Sequence, residues 1–412
     1  MTTTPGTENP RTGPGLDVLA LVCLILIASS LRPAASSLGP VLAEVQAAFG
    51  LAEWQTGLLT ALPGLIFAGC GFLAVPLLRR AGLFASLALS CALIAVGIGA
   101  RVLVDSSLAF SALTVTALAG MSLGNVILPV FVKTRFPHRT HLGATTFTVS
   151  LGLGAMVPAF LTAPLAEHFD DWRVGLGAWV LVPLAALASW IVLRAAGSVP
   201  VLPRPSRDPQ QAPAPRRHIH STAKAKYMAM FFGLQSVNAY VQFGWLPQIY
   251  RDAGLDPVAA GVMLTIVTLG GLPGGFLAPQ IIMRGLAPRF FLVSFSVSAV
   301  AGYLGLLLAP ASAPVLWAVL LSYGGFAFPA ALALITSRTR EVSITARTSA
   351  FVQSTGYILA ALGPLAVGAL LGVSGSWAPP LLLLIVVSAL MGLTGYLSAA
   401  PGTVDDELAE AG

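Results

Sequence analysis

Seven side chains able to hold charge or hydrogen-bond a solute interrupt otherwise apolar runs of this chain: Arg32, Asn125, Gln235, Asn238, Gln242, Gln353 and Tyr357. Arg32 stands in "SSLRPAASSLGP" (29–40), toward the end of a run that begins at Val18. Arginine stays charged at any relevant pH and presents a planar fork of donors. At the centre of a membrane helix it costs roughly 2.5–3.5 kcal/mol on insertion scales, and less toward an end, where it can snorkel to the surface. Pro33 restricts the backbone before it and favours a bend. A cation beside a bend, on one face with Ser29 and Ser36, suits an anion or an electron-rich small molecule. Snorkelling is the competing reading, and an internal ion pair would need a deep carboxylate. Gln235, Asn238 and Gln242 are spaced by 3 and 4, so they share one helix face. Gln353 and Tyr357 are four apart and also share a face. Such amides either line a cavity or tie helix to helix. For the triplet, cavity lining is the expectation.

Equally telling is what the apolar runs lack. Asp17, Glu44, Glu53, Asp105, Asp252 and Asp256 fall at run ends or in loops, and so do the histidines at 138, 141, 168, 218 and 220. No nucleophile converges with a base, no metal-ligand spacing appears, and there is no Gly-Lys-Ser/Thr phosphate loop. "HFDDW" (168–172) reads as a short solvated connection. The expectation is no enzyme, no catalytic residue, no metal and no cofactor. Cys23, Cys70 and Cys91 read as small core residues. Should the chain move a solute, proton coupling could use a rim carboxylate such as Glu44 or a proton that the solute itself carries, or be absent, with passive movement.

These residues need elements to position them, and composition names the class. The chain is 56% hydrophobic and 9% charged, against about 25% charged in a soluble domain. Runs long enough to cross a bilayer recur at 17–38, 55–77, 82–103, 108–131, 142–164, 174–194, 227–249, 258–280, 290–309, 315–335, 349–371 and 380–398. Twelve transmembrane helices are expected, in an all-α integral membrane protein. A cleaved signal peptide over 11–31 is disfavoured by Arg32 and by the eleven runs that follow. Of 22 Lys and Arg, 18 fall on one side if the N-terminus is cytoplasmic; Arg101, Arg173 and Arg251 face out, and Arg32 lies in span 1. This positive-inside bias puts both termini in the cytoplasm and explains the net charge of +6 without nucleic acid. The expected setting is the plasma (cytoplasmic) membrane, which in a double-membraned cell is the inner one.

The longest connection, 195–226, is proline-rich and polar and reads as a flexible cytoplasmic linker. It separates a six-helix half at 17–194 from another at 227–398, with a disordered N-terminus at 1–16 and a tail at 399–412. The halves are alike. "GFLA" recurs at 71–74 and 275–278, an offset of 204 that also aligns Gly50-Leu51 with Gly254-Leu255, Arg80 with Arg284, and Phe147, Ser150 and Gly152 with Phe351, Ser354 and Gly356. Parallel six-helix repeats with a substrate near the midplane describe the major facilitator architecture.

Several stretches resemble the cyanate and 2-nitroimidazole transporter family of that superfamily: "LRPAASSLGP" (31–40), "GLLTALP" (57–63), "GNVILP" (124–129), "FPHR" (136–139), "FFGLQSVNAY" (231–240) and "STGYILAALGP" (354–364). The resemblance covers roughly 17–398. It implies a small-molecule transporter without fixing the substrate, and it points the same way as Arg32, toward a small anion or electron-rich molecule; the expectation is a monomeric secondary carrier working by alternating access. It also implies that spans 3, 6, 9 and 12, which carry no amide, sit outside a central cavity. Arg79, Arg80 and Arg284 mark the expected gating loops. There the acid usual after the signature glycine is missing, and "GFLAVPLLRRAG" has Val75 and Pro76. A multidrug-type exporter of neutral or cationic compounds, or a non-transporting sensor on the same fold, are the alternatives.

Overall fold

A computed structural model describes residues 13–137, 139–200 and 219–410. The expected flexible N-terminus and linker fall largely outside those residues. All secondary structure described is helical. Ten stretches, from Pro14–Phe49 to Ala378–Ser398, are long and apolar enough to cross a bilayer by length and composition, among the described residues. The runs expected at 55–77 and 227–249 are helical too but are not among the ten. At 227–249 the reason is the amides, which dilute the hydropathy of a helix buried on most sides.

In chain order, α1 (Pro14–Ser30) is followed by the single turn α2 (Pro33–Ser36) and by α3 (Leu42–Phe49). Next, α4 (Glu53–Arg101) holds two expected spans in one run, broken at Gly82, where φ of 77° is a conformation that favours glycine. Beyond it lie α5 (Ser107–Arg135), α6 (Thr140–His168), α7 (Trp172–Gly177) and α8 (Leu181–Ala195). The second half runs α9 (Ala223–Asp252), α10 (Pro257–Met283), α11 (Pro288–Leu308), α12 (Pro314–Gly324), α13 (Ala327–Ser337), α14 (Val342–Ser374), α15 (Ala378–Ser398) and α16 (Val404–Glu410). Local chemistry sets many starts. Ser106 and Asp256 cap α5 and α10 through their side chains, and proline occupies the first turn of α1, α10, α11, α12 and α15.

One apolar core lies almost wholly within residues 20–199 and another within 219–408, while a third draws on both halves. Each half also closes on itself at one end, called here the Arg135 end. Arg135, at the end of α5, pairs with Asp17 of α1 at 2.6 Å and donates to Ser198 Oγ beyond α8 at 3.2 Å. In the second half the residues after α13 do the equivalent. Arg338 donates to Ala399 O at 2.8 Å, and Arg340 pairs with Asp406 of α16. Glu407 of the same helix accepts the Lys224 backbone N–H at 3.0 Å. The expected tail is therefore partly a docked helix, with Val404 and Leu408 buried.

At the opposite end the two halves meet. A Cβ on Gly57 of α4 would lie 2.9 Å from Pro364 O of α14, so the helices touch backbone to backbone there. Arg251 of α9 grips both carboxylate oxygens of Glu44 on α3, at 2.8 and 2.9 Å. This is the Glu44 end.

Candidate functional site

The site begins with an interrupted helix. α1 stops at Ser30, and Arg32 (φ −132°, ψ −27°) is the N-cap of the turn that Pro33 opens. The sequence cause is the one expected: a residue before proline is pushed out of helical geometry. The Arg32 carbonyl takes the backbone N–H groups of Ala35 and Ser36 and the Ser36 hydroxyl. Its guanidinium is half-buried and forms no ion pair among the described residues. It lies instead within electrostatic range of the hydroxyls of Tyr240 and Tyr357.

Tyr357, on α14, is the hub of an aromatic cluster drawn from both halves. Phe232 of α9 meets it edge-on at 5.2 Å between centroids, Phe67 of α4 edge-on at 6.1 Å, and Tyr240 of α9 tilted at 6.5 Å. Edge-to-face pairs of this kind favour fixed ring orientations. A narrow pocket next to Arg32 is lined by Ala34, Ala35, Thr60, Pro63, Tyr240 and Phe243, among others. Of the residues expected from sequence, the structure thus brings Arg32 and Tyr357 together. Tyr240, Phe67 and Phe232 were missed. The available signal was Gly233, Tyr240 and Gly244, which mark the face of α9 opposite the amides; a Cβ at Gly233 or Gly244 would collide with α14 or α4.

The amides divide. Asn125 is half-buried and donates to Met121 O of its own helix at 2.9 Å; Gln353 is half-buried and donates to Ser349 Oγ at 2.7 Å. No hydrogen bond within the described residues ends on either side-chain oxygen. Gln235 donates to the neighbouring Ser236 Oγ at 2.6 Å. Asn238 and Gln242 point away from the aromatic cluster. Asn238 Oδ1 accepts from Ser388 of α15 at 3.2 Å, and Gln242 donates to Tyr303 of α11 at 3.0 Å. Here helix-to-helix bonding takes the place of the expected shared cavity face. Buried amides bond to whatever polar group is nearest, and α11 and α15 supply a phenol and a serine.

Arg79 and Arg80, just before the Gly82 break, and Arg284, the C-cap of α10, are exposed and make no ion pair among the described residues. Arg101 departs from expectation. Read as an outward-facing topological charge, it is instead 0% exposed. Its burial follows from a roof of rings: Phe110 lies 5.8 Å below its guanidinium, and Phe110, Phe49 and Trp172 pack on one another at 5.2 to 6.1 Å.

The two halves of this apolar helical bundle thus share one aromatic cluster, with a half-buried arginine beside it. The chain belongs to the Major Facilitator Superfamily, whose family model matches residues 22–326. It is accordingly a multi-pass membrane protein that transports a small molecule, rather than an enzyme. It is 30% identical to the 2-nitroimidazole transporter of Escherichia coli (strain K12) over 92% of this chain and 94% of that one. It is also 30% identical to the cyanate transport protein CynX of the same strain, over 87% and 91%. Among solved structures, a bacterial homologue of the human lysosomal transporter Spinster, inward-facing and unoccupied, superposes with a TM-score of 0.75 at 14% identity, covering 94% of this chain and 98% of that one.

Proposed function

We propose that this chain is a secondary carrier for a small anion or electron-rich organic molecule, with Arg32 as the charge partner of the substrate. The observation that carries this reading is the half-buried Arg32, set at a helix break, within electrostatic range of two phenols and lacking a carboxylate partner among the described residues. An unbalanced cation attracts negative or electron-rich groups and repels cations, which disfavours the multidrug alternative. Tyr357 and the rings around it give a planar solute a wall, while the side-chain oxygens of Asn125 and Gln353, without a donor among the described residues, can accept its hydrogen bonds. The names of the two relatives, one for cyanate and one for 2-nitroimidazole, support a solute of this kind.

The proposed setting is the cytoplasmic membrane, with a monomer, both termini inside and the Glu44 end outside. In that orientation the two halves meet outside around Gly57 and the Arg251–Glu44 pair, and alternating access requires that contact to open. Arg79, Arg80 and Arg284 belong to the loops that would close the other side. If transport is proton-coupled, Glu44 is the rim carboxylate placed to take part. A cysteine at Ala253 should react with an impermeant thiol reagent in intact cells, and protection there would invert the orientation.

Uptake and binding in proteoliposomes test the reading, with cyanate and 2-nitroimidazole as probes. Arg32→Ala should abolish both signals, whereas Arg32→Lys keeps the charge, loses the fork and should retain weak binding. Unchanged transport by well-inserted Arg32→Ala protein would overturn the proposal in favour of a snorkelling arginine.

A further inference from the structure

Arg101 is a fully buried cation with no carboxylate within ion-pair distance among the described residues. A charge held this way is costly unless its hydrogen bonds are well met. Its partners are specific. Nη1 donates to Ala34 O and Nη2 to Ser37 Oγ, each at 3.3 Å, while Nε has no partner among the described residues. Both acceptors belong to the turn that carries Arg32. That turn is too short to satisfy itself: the N–H groups of Ser36 and Ser37 close on Arg32 O and Pro33 O, but among the described residues no backbone N–H closes on Ala34 O. A single helical turn leaves its last carbonyls open, and an open carbonyl in a dry interior needs a donor. A cation at that carbonyl end also complements the turn's dipole.

We infer that Arg101 is a positioning residue for the substrate site. It supplies the donors that the interrupted helix lacks and so fixes the turn from which Arg32 projects. The inference rests on the reading of Arg32 as the substrate's charge partner, and adds a second arginine that never touches the solute. Phe110, itself packed against Phe49 and Trp172, lies 5.8 Å from the Arg101 guanidinium, which is fully buried. A lysine in its place keeps the charge but offers a point donor instead of a fork spanning two acceptors.

The test is a double-mutant cycle on the intact protein in proteoliposomes, reading the dissociation constant and KM for cyanate and for 2-nitroimidazole, with thermal stability measured alongside. Arg101→Lys should raise both constants about tenfold, the scale of one charge-assisted hydrogen bond, and leave the maximal rate nearly unchanged. In an Arg32→Lys background the same change should cost less than about threefold, because the fork being positioned is already gone. Ser37→Ala removes one acceptor, keeps Arg101 and should give a smaller loss with the same dependence on Arg32. A merely structural Arg101 would lower stability but leave the affinity of the folded fraction unchanged, or weaken it by equal factors in both backgrounds; either result overturns the inference while leaving Arg32's role intact. Binding that survives Arg32→Ala, or wild-type protein that binds neither probe, defeats the underlying reading and this one with it.

Discussion

The first helix of each half can be set side by side, and the two use polar residues in opposite ways. α1 breaks at Arg32, and the break turns a charge toward the other half. α9, its counterpart in the repeat, runs unbroken through Ser236, the residue that the 204 offset aligns with Arg32. Ser236 bonds back to Phe232 O at 2.8 Å, as a serine inside a continuous helix commonly does. Two of the three amides of α9, Gln242 and Asn238, then turn to α11 and α15, within their own half. What faces across the molecule from α9 is Tyr240 and close-packed backbone. The duplicated helices thus divide the work: one supplies charge, the other supplies a ring and holds its half together. Counting polar residues cannot reveal that division; asking which of them already has a partner can.

The largest effect expected from breaking this comparison is Arg32→Ala, with complete loss of uptake, as above. Moving the charge to the other helix should not restore it. The swap Arg32→Ser with Ser236→Arg should be inactive in the same uptake assay, because α9 has no break there and position 236 is buried. Recovered uptake would mean that the two helices are interchangeable. Gln242→Leu should leave the transport KM unchanged and reduce unfolding stability by about 0.5–1.5 kcal/mol, the range of an interhelical hydrogen bond in a membrane. A shift in KM instead would return Gln242 to the substrate path.

Smaller again is Glu44→Gln. The pair with Arg251 is partly exposed, and such pairs contribute about 0–1 kcal/mol. On the proposed mechanism, only the balance between forms closed and open at the Glu44 end should shift, read as faster alkylation of a cysteine placed at Thr60, which is buried where the halves meet. The smallest effect concerns the strap at the Arg135 end of the second half. Hydrogen bonds from Thr403, and after them the bond and charge of Arg340, hold the Asp406 carboxyl below its ordinary value of 3.8. A depressed carboxylate contributes stability that is fully present above the ordinary value and is lost as pH falls through the depressed one. Exchange protection of the Thr403 amide, corrected for intrinsic rate, should therefore be flat from neutral pH down to about 5 and fall only below the ordinary carboxylate range.

Much of this was readable before any coordinates. The apolar runs announced the bundle, and the Arg32–Pro33 step announced the break, because both depend on local chemistry. The rest depended on neighbours. Periodicity put Gln235, Asn238 and Gln242 on one face but had no way to say that Tyr303 and Ser388 stand opposite that face. Arg101 ends an apolar run, where a loop charge and a buried one look the same; only the packing of Phe110 over it separates them. Tyr240 stands among several aromatics of α9, and only its alignment with Gly233 and Gly244 on the face opposite the amides sets it apart. α16 is a seven-residue acidic stretch whose helix depends on docking against Arg340 and Lys224.

The paired staples at the Arg135 end carry a consequence for how the chain may be divided. Arg135 with Asp17 and Ser198, and Arg338 and Arg340 with Ala399 and Asp406, tie each set of helices using only residues of that set. Among these ties at the Arg135 end, none joins one half to the other within the described residues. Two separately translated polypeptides, 1–200 and 219–412, made in one cell should therefore each reach a stapled form and recover uptake on meeting in the bilayer. Charge reversal at Asp17 should disable only the first fragment, and charge reversal at Asp406 only the second. On that view the carrier is a permanent heterodimer that happens to be written as a single gene.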